Sequence, residues 1–136
     1  MHNPDQQRQR LLRLALTCNA LFSLASGLFI TLADRFVVHS LGLADGSSLM
    51  SLGIGLIAFA IFLFLSARRP LIRVFLARII VLMDVLWVIC SYALLFIVPF
   101  SFGGTWMVVI VADVVLAFGI AQWLGIRKIR KGELHA

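Results

Sequence analysis

Two aspartates stand inside runs that hold no other charge: Asp84 in VLMDVLWVICS and Asp113 in VIVADVVLAFG. A carboxyl in such surroundings has three uses. It can be a neutral hydrogen-bonding clamp to a nearby polar side chain, a receiver of a proton or cation, or the mate of a basic group in a partner's span. Helical spacing selects its companions. Asp84, Trp87 and Ser91 fall on one face of their run, and Asn19, Ser23 and Ser26 share a face of an earlier one. Trp87, one turn from Asp84, can cover a cation with its ring. The candidate ligand-binding residues are therefore Asp84, Asp113, Asn19, Trp87 and Ser91, and the chemistry they suggest is binding or transport of a cation, a proton or a cationic small molecule.

Depth refines this. At about 1.5 Å per helical residue, Asp84 lies about 22 Å and Asp113 about 12 Å below the uncharged 99–105 turn. A vertical gap of roughly 10 Å is too wide for two carboxyls to share a proton, even though such sharing is the usual way a buried acid pair becomes active. Asn19 falls at the depth of Asp84, so these two are expected to face each other. Asp113 is expected separately, in the outer half, and both acids are expected to turn inward. Gln122, nine residues after Asp113, points to the opposite side of the same helix. With Gly119 and Gly125 it marks a close contact with a neighbouring helix.

The elements that carry these residues follow from composition. The chain of 136 residues is 62% hydrophobic and 13% charged, with a mean hydropathy of +1.05. That is too apolar for a soluble domain and leaves room for one membrane unit. Apolar stretches at 14–33, 49–65, 79–98 and 106–126, free of charge but for the two aspartates, predict four transmembrane helices, the second of about seventeen residues at the short limit for a span. Backbone groups in lipid must bond internally, which requires helix. An aspartate at a span centre costs about 2.5–3.5 kcal/mol, and each Leu, Ile, Val or Phe returns about 0.3–0.6. The third span has thirteen such residues and the fourth eleven, worth roughly 4–8 and 3–7 kcal/mol respectively. Both spans outweigh their acid.

The predicted fold is thus an all-α integral membrane protein, a single four-helix bundle over 1–136. Eleven of the twelve Lys and Arg lie in the amino-terminal arm, in 68–78 and in 127–131. That distribution predicts cytoplasmic termini in a bacterial inner membrane. It also explains the pI near 10.7 without nucleic acid, since no aromatic and basic surface for stacked bases accompanies it. The basic rim suits anionic lipid head groups as well as topology. The first apolar run, about twenty residues, exceeds a signal peptide's 7–15 and reads as an uncleaved anchor.

Between the first two spans, Phe36, Val37, Ser40 and Leu41 recur at helical spacing and predict a short interfacial helix. Asp45 or Ser47 is placed to cap the second span, and Pro70 to open the third. Trp106 and Trp123 stand where interfacial aromatics belong. Ser48, Ser51, Gly55 and Ala58 predict a small-residue stripe for close helix packing on the second span. Offsetting the halves by 65 aligns Arg8 with Arg73, Arg13 with Arg78, Asn19 with Asp84, Phe22 with Trp87 and Ser26 with Ser91. An offset of 59 then aligns LIAFA with VLAFG. This predicts two tandem helical hairpins related by a pseudo-twofold axis along the membrane normal.

Several chemistries lack their residues. His2, His39 and His135 lie outside the spans, which argues against haem, and no span holds a lysine for a Schiff base. Cys18 and Cys90 form no metal or redox pattern and read as buried apolar groups. No phosphate loop, HExxH or GxSxG is present. The expectation is a non-enzymatic protein without cofactor or metal, working as a homo-oligomer or beside a membrane-protein partner. The alternative is a non-catalytic accessory or assembly subunit of a larger membrane complex.

Overall fold

The computed structural model describes residues 9–134. They form five helices: α1 (Arg10–Leu32), α2 (Asp34–Leu41), α3 (Ser47–Ala67), α4 (Val74–Ile97) and α5 (Phe102–Glu133). All but α2 are long and apolar enough to cross a membrane. Each exceeds its predicted span, because helices run past the hydrocarbon limit into polar ends. The fourth gains most, at 32 residues, and the short second one reaches 21. Pro70 does not open α4. It sits in the turn, and the helix starts at Val74 after the extended Arg73.

Burial is inverted relative to a water-soluble protein. Leu14, Leu21, Ile54, Ile61, Leu82, Ile89 and many other large apolar side chains face outward, while Asn19, Ser23, Ser66, Asp84, Ser91 and Gln122 are buried. Lipid is as apolar as leucine, so helix association in it relies on close packing and interhelical hydrogen bonds. Both are visible. α1 packs along α3, α4 along α5, and α1 also against α5, whereas α3 and α4 do not pack along each other.

The tight α1–α3 contact centres on Gly27 and Gly53. A Cβ built on Gly53 would meet the hydroxyl of Thr31, and one on Gly27 would lie 2.8 Å from the Gly53 carbonyl oxygen. The buried stripe of α3 is Leu49, Gly53, Ala60 and Leu63. The predicted stripe of Ser48, Ser51, Gly55 and Ala58 is exposed instead, and nothing lies within 4 Å of a Cβ on Gly55. Small size alone did not identify the packing face; the glycine opposite another glycine did.

Apolar clusters close both ends. At the basic end Leu12, Leu16, Leu63, Ile72, Ile80, Ile126 and Ile129 pack together. There the Arg13 guanidinium donates to the carbonyls of Ala67 (2.9 Å) and Pro70, and the Ile72 N–H donates to the Gln9 side chain (3.0 Å). At the other end α2, the expected short helix, buries Val37 and Leu41 against Leu49, with Phe100, Met107 and Val108 packed beside them. Gly42, in the left-handed conformation (φ 74°), ends α2. Ser101 accepts the Gly104 N–H (2.9 Å) at the start of α5 and donates its hydroxyl to the Ser40 carbonyl. Asp45 accepts the N–H of Ser47 (3.0 Å) and its hydroxyl (2.7 Å) just before α3, but neither residue is the expected cap: the N-cap is Gly46, and no side chain caps the helix. Cys18 and Cys90 are exposed on helix flanks rather than buried, since their faces carry no contact with another helix.

Candidate functional site

Between the two apolar ends lies the polar centre. Asn19 stands about 14 Å, Asp84 about 15 Å and Gln122 about 16 Å from the basic ends of α1, α4 and α5. At that common height the three side chains meet. Asn19 Nδ2 donates to Asp84 Oδ2 at 2.8 Å, and Gln122 Nε2 donates to the same oxygen at 2.9 Å. Ser23 Oγ in turn donates to Asn19 Oδ1 at 3.3 Å, which orients that amide. Asn19 and Gln122 are 0% exposed and Asp84 2%. Three helices are thereby joined through one carboxyl oxygen.

The arrangement is asymmetric. Among the described residues no hydrogen bond reaches Asp84 Oδ1, and the buried Gln122 Oε1 has no partner. Two N–H donors on one oxygen suit an anionic carboxylate, because charge-assisted bonds are the stronger kind. The second oxygen stays available.

A cleft of about 280 Å³ adjoins this group. Leu52, Gly55, Leu56 and Phe59 of α3 form one wall, and Met83 and Trp87 of α4 the other. Asn19, Phe22, Ser23 and Ser26 of α1, with Val111 and Val115 of α5, line its back. It occupies the gap where α3 and α4 fail to pack. It also runs from the Asp84 level toward the end bearing α2, where Ser26 and Ser51 lie. A second groove, of about 210 Å³, follows α4 and α5 past Val81, Gly119 and Trp123. That groove also touches Asp84, and its other lining residues are apolar apart from Gly119 and the Trp123 indole.

The predicted site residues separate into three groups. Asn19, Asp84 and Trp87 converge on the cleft, and the expected Asn19–Asp84 contact is present. Ser91 is buried on the same face but is spent on its own helix, donating to the Trp87 carbonyl at 2.8 Å, and it does not line the cleft. Asp113 departs from expectation. It is separate from Asp84, as expected, but it is exposed on the outer flank of α5, where Tyr92 donates its hydroxyl to Oδ1 at 2.6 Å. The inward turn expected of both acids holds for Asp84 alone. The reason is helical geometry: Gln122 occupies the packed face of α5, and Asp113 lies opposite it.

Gln122 as a partner of Asp84 escaped the sequence reading, although its signal was there. Nine residues below Asp113 add about 13 Å of depth, which brings it to the Asp84 level. Comparison with protein-family profiles, characterised proteins and solved structures finds no match for this chain.

Proposed function

We propose that this protein binds an organic monocation within the membrane at Asp84, reached through the α3–α4 cleft, and carries it or a proton across the bilayer. The observation that supports this is the division of labour on one carboxyl. Oδ2 is fixed by Asn19 and Gln122, and the rest of the group stands at the foot of a cleft edged by Phe22, Phe59 and Trp87. A single negative charge among aromatic rings suits a cation with apolar substituents, which gains from both the charge and the ring faces. A bare calcium ion needs six to eight oxygens. No group of three His, Cys, Asp or Glu occurs among the described residues.

The wider reading is a non-enzymatic four-helix bundle in a bacterial inner membrane, with both termini cytoplasmic. The clustering of Lys and Arg at one end supports that orientation. The packing of α1 on α3 and of α4 on α5 is compatible with two hairpins of one ancestry. A strict pseudo-twofold would also require an α3–α4 contact to match α1–α5. A second reading, an accessory role beside another membrane protein, is favoured by one observation, the exposed position of Asp113.

The test uses benzyltrimethylammonium, whose charge is fixed, and the purified full-length protein in nanodiscs. Saturable binding to the wild type, weakened at least about tenfold in Asp84→Asn at an unchanged unfolding midpoint, is the expected result. Equal binding by both proteins, or full displacement by sodium at matched concentration, overturns the organic-cation site. Uptake of the same probe into liposomes then separates a carrier from a simple binder.

A further inference from the structure

We infer that the Asp113–Tyr92 pair on the outer flank of α4 and α5 is a docking site for a second membrane protein, whose span carries a lysine or arginine at mid-depth. This inference does not depend on the Asp84 cleft, which lies on the other side of α4 and α5.

Asp113 is about 16 Å along α5 from the Phe102 end, near the middle of the apolar stretch. It is too deep for its short side chain to reach an interface, and a carboxylate at that level is costly against hydrocarbon. Its surroundings are apolar and outward-facing: Ile89 and Phe96 on α4, with Ile110, Leu116 and Ile120 on α5. Tyr92, itself 37% exposed, ties only Oδ1. Oδ2 accepts no hydrogen bond among the described residues and faces outward with the flank.

Charge complementarity identifies the occupant. Along α5 the nearest basic residue is Arg127, about 21 Å from Asp113, and along α4 Arg78 is the same distance from Tyr92. Arg35 and His39 belong to α2, which packs at the Phe102 end of α5, about 16 Å from the level of Asp113. Among the described residues, a second copy of this chain lying parallel therefore offers no cation at the depth of Asp113. A partner span with a mid-depth ammonium or guanidinium does, and it satisfies Oδ2 while Tyr92 holds Oδ1 in place. The apolar side chains above and below supply the packing surface that such a span needs.

The experiment places the fluorescently labelled full-length protein in dilute liposomes with synthetic poly-leucine transmembrane peptides carrying an acceptor dye. One peptide has a single central lysine, one has leucine there, and one has the lysine two turns nearer the end. The central-lysine peptide is expected to associate at least about tenfold more tightly than the others. Asp113→Asn abolishes that preference, Asp113→Glu retains it, and Asp84→Asn leaves it unchanged. Tyr92→Phe weakens it severalfold. Equal association of the lysine and leucine peptides overturns the inference, as does a preference that survives Asp113→Asn. Self-association of the labelled protein that depends on Asp113 also overturns it, and would make a second copy the occupant.

Discussion

Replacing Asp84 with leucine or with asparagine separates the two jobs of its side chain. Asparagine keeps an oxygen where Oδ2 accepts from Asn19 and Gln122, whereas leucine leaves both amide donors buried without an acceptor. Interhelical hydrogen bonds between membrane helices are worth about 0.6 kcal/mol on average and up to about 1.7. Loss of two of them puts the cost of Asp84→Leu at about 1–3 kcal/mol, while Asp84→Asn should stay within about 1 kcal/mol of the wild type. Gln122→Leu is cheaper than Asp84→Leu, since it also removes the unpartnered Oε1.

A double-mutant cycle between Asp84→Leu and Gln122→Leu isolates their contact. The double variant should be less destabilised than the two singles summed, by a coupling of about 0.6–1.7 kcal/mol. Reversible unfolding in mixed micelles, followed by far-ultraviolet circular dichroism, supplies the four free energies. A coupling below about 0.3 kcal/mol, the level at which independent sites add, would refute the clamp. So would an asparagine variant as unstable as the leucine one.

Two further outcomes test the framework around the site. Gly53→Leu forces side-chain atoms into the space held by Thr31 and the Gly27 carbonyl, and overpacking should cost about 1–3 kcal/mol or more. Gly55→Leu, two residues on and facing open space in the cleft, should leave the unfolding midpoint nearly unchanged yet reduce cation binding. Outside the spans, the hydroxyl and N–H of Ser47 hold the Asp45 carboxyl below its usual value of 3.8. A lowered folded-state value stabilises the protein above the unfolded value, and that contribution fades as pH falls through the folded one. The gap in midpoint between wild type and Asp45→Asn should therefore be level from pH 7 to 5 and close below about pH 4; a gap that widens on acidification contradicts it.

What the sequence made legible was whatever depends on one helix at a time. Span positions, the short helix at 34–41 and the shared depth of Asn19 and Asp84 all follow from apolarity and a rise of about 1.5 Å per residue. What it hid depends on which face meets which neighbour. α3 offers small residues on two faces, and only the presence of Gly27 across from Gly53 decides between them. The outward turn of Asp113 has the same origin. Nothing in VIVADVVLAFG distinguishes a lipid-facing acid from a buried one until Gln122 is known to occupy the packed side.

The positions of the two apolar clusters bear on what the site can do. At the basic end, Leu12, Leu16, Leu63, Ile80 and Ile126 are nearly or wholly inaccessible, and Arg13 straps α1 to the α3–α4 turn there. The cleft lies above that plug and extends toward Ser26 and Ser51, so on the proposed reading a ligand in it approaches Asp84 from that end. Binding asks nothing of the plug. If the proposed cation is carried through to the basic end, α1 and α5 have to part near Gly125, where a Cβ would already lie 3.0 Å from Leu12. On the transport reading proposed above, the joint to be opened is the one that Asn19, Asp84 and Gln122 hold closed. A ligand that draws the Asp84 charge toward the cleft competes directly with the amide bonds that keep α1 and α5 together.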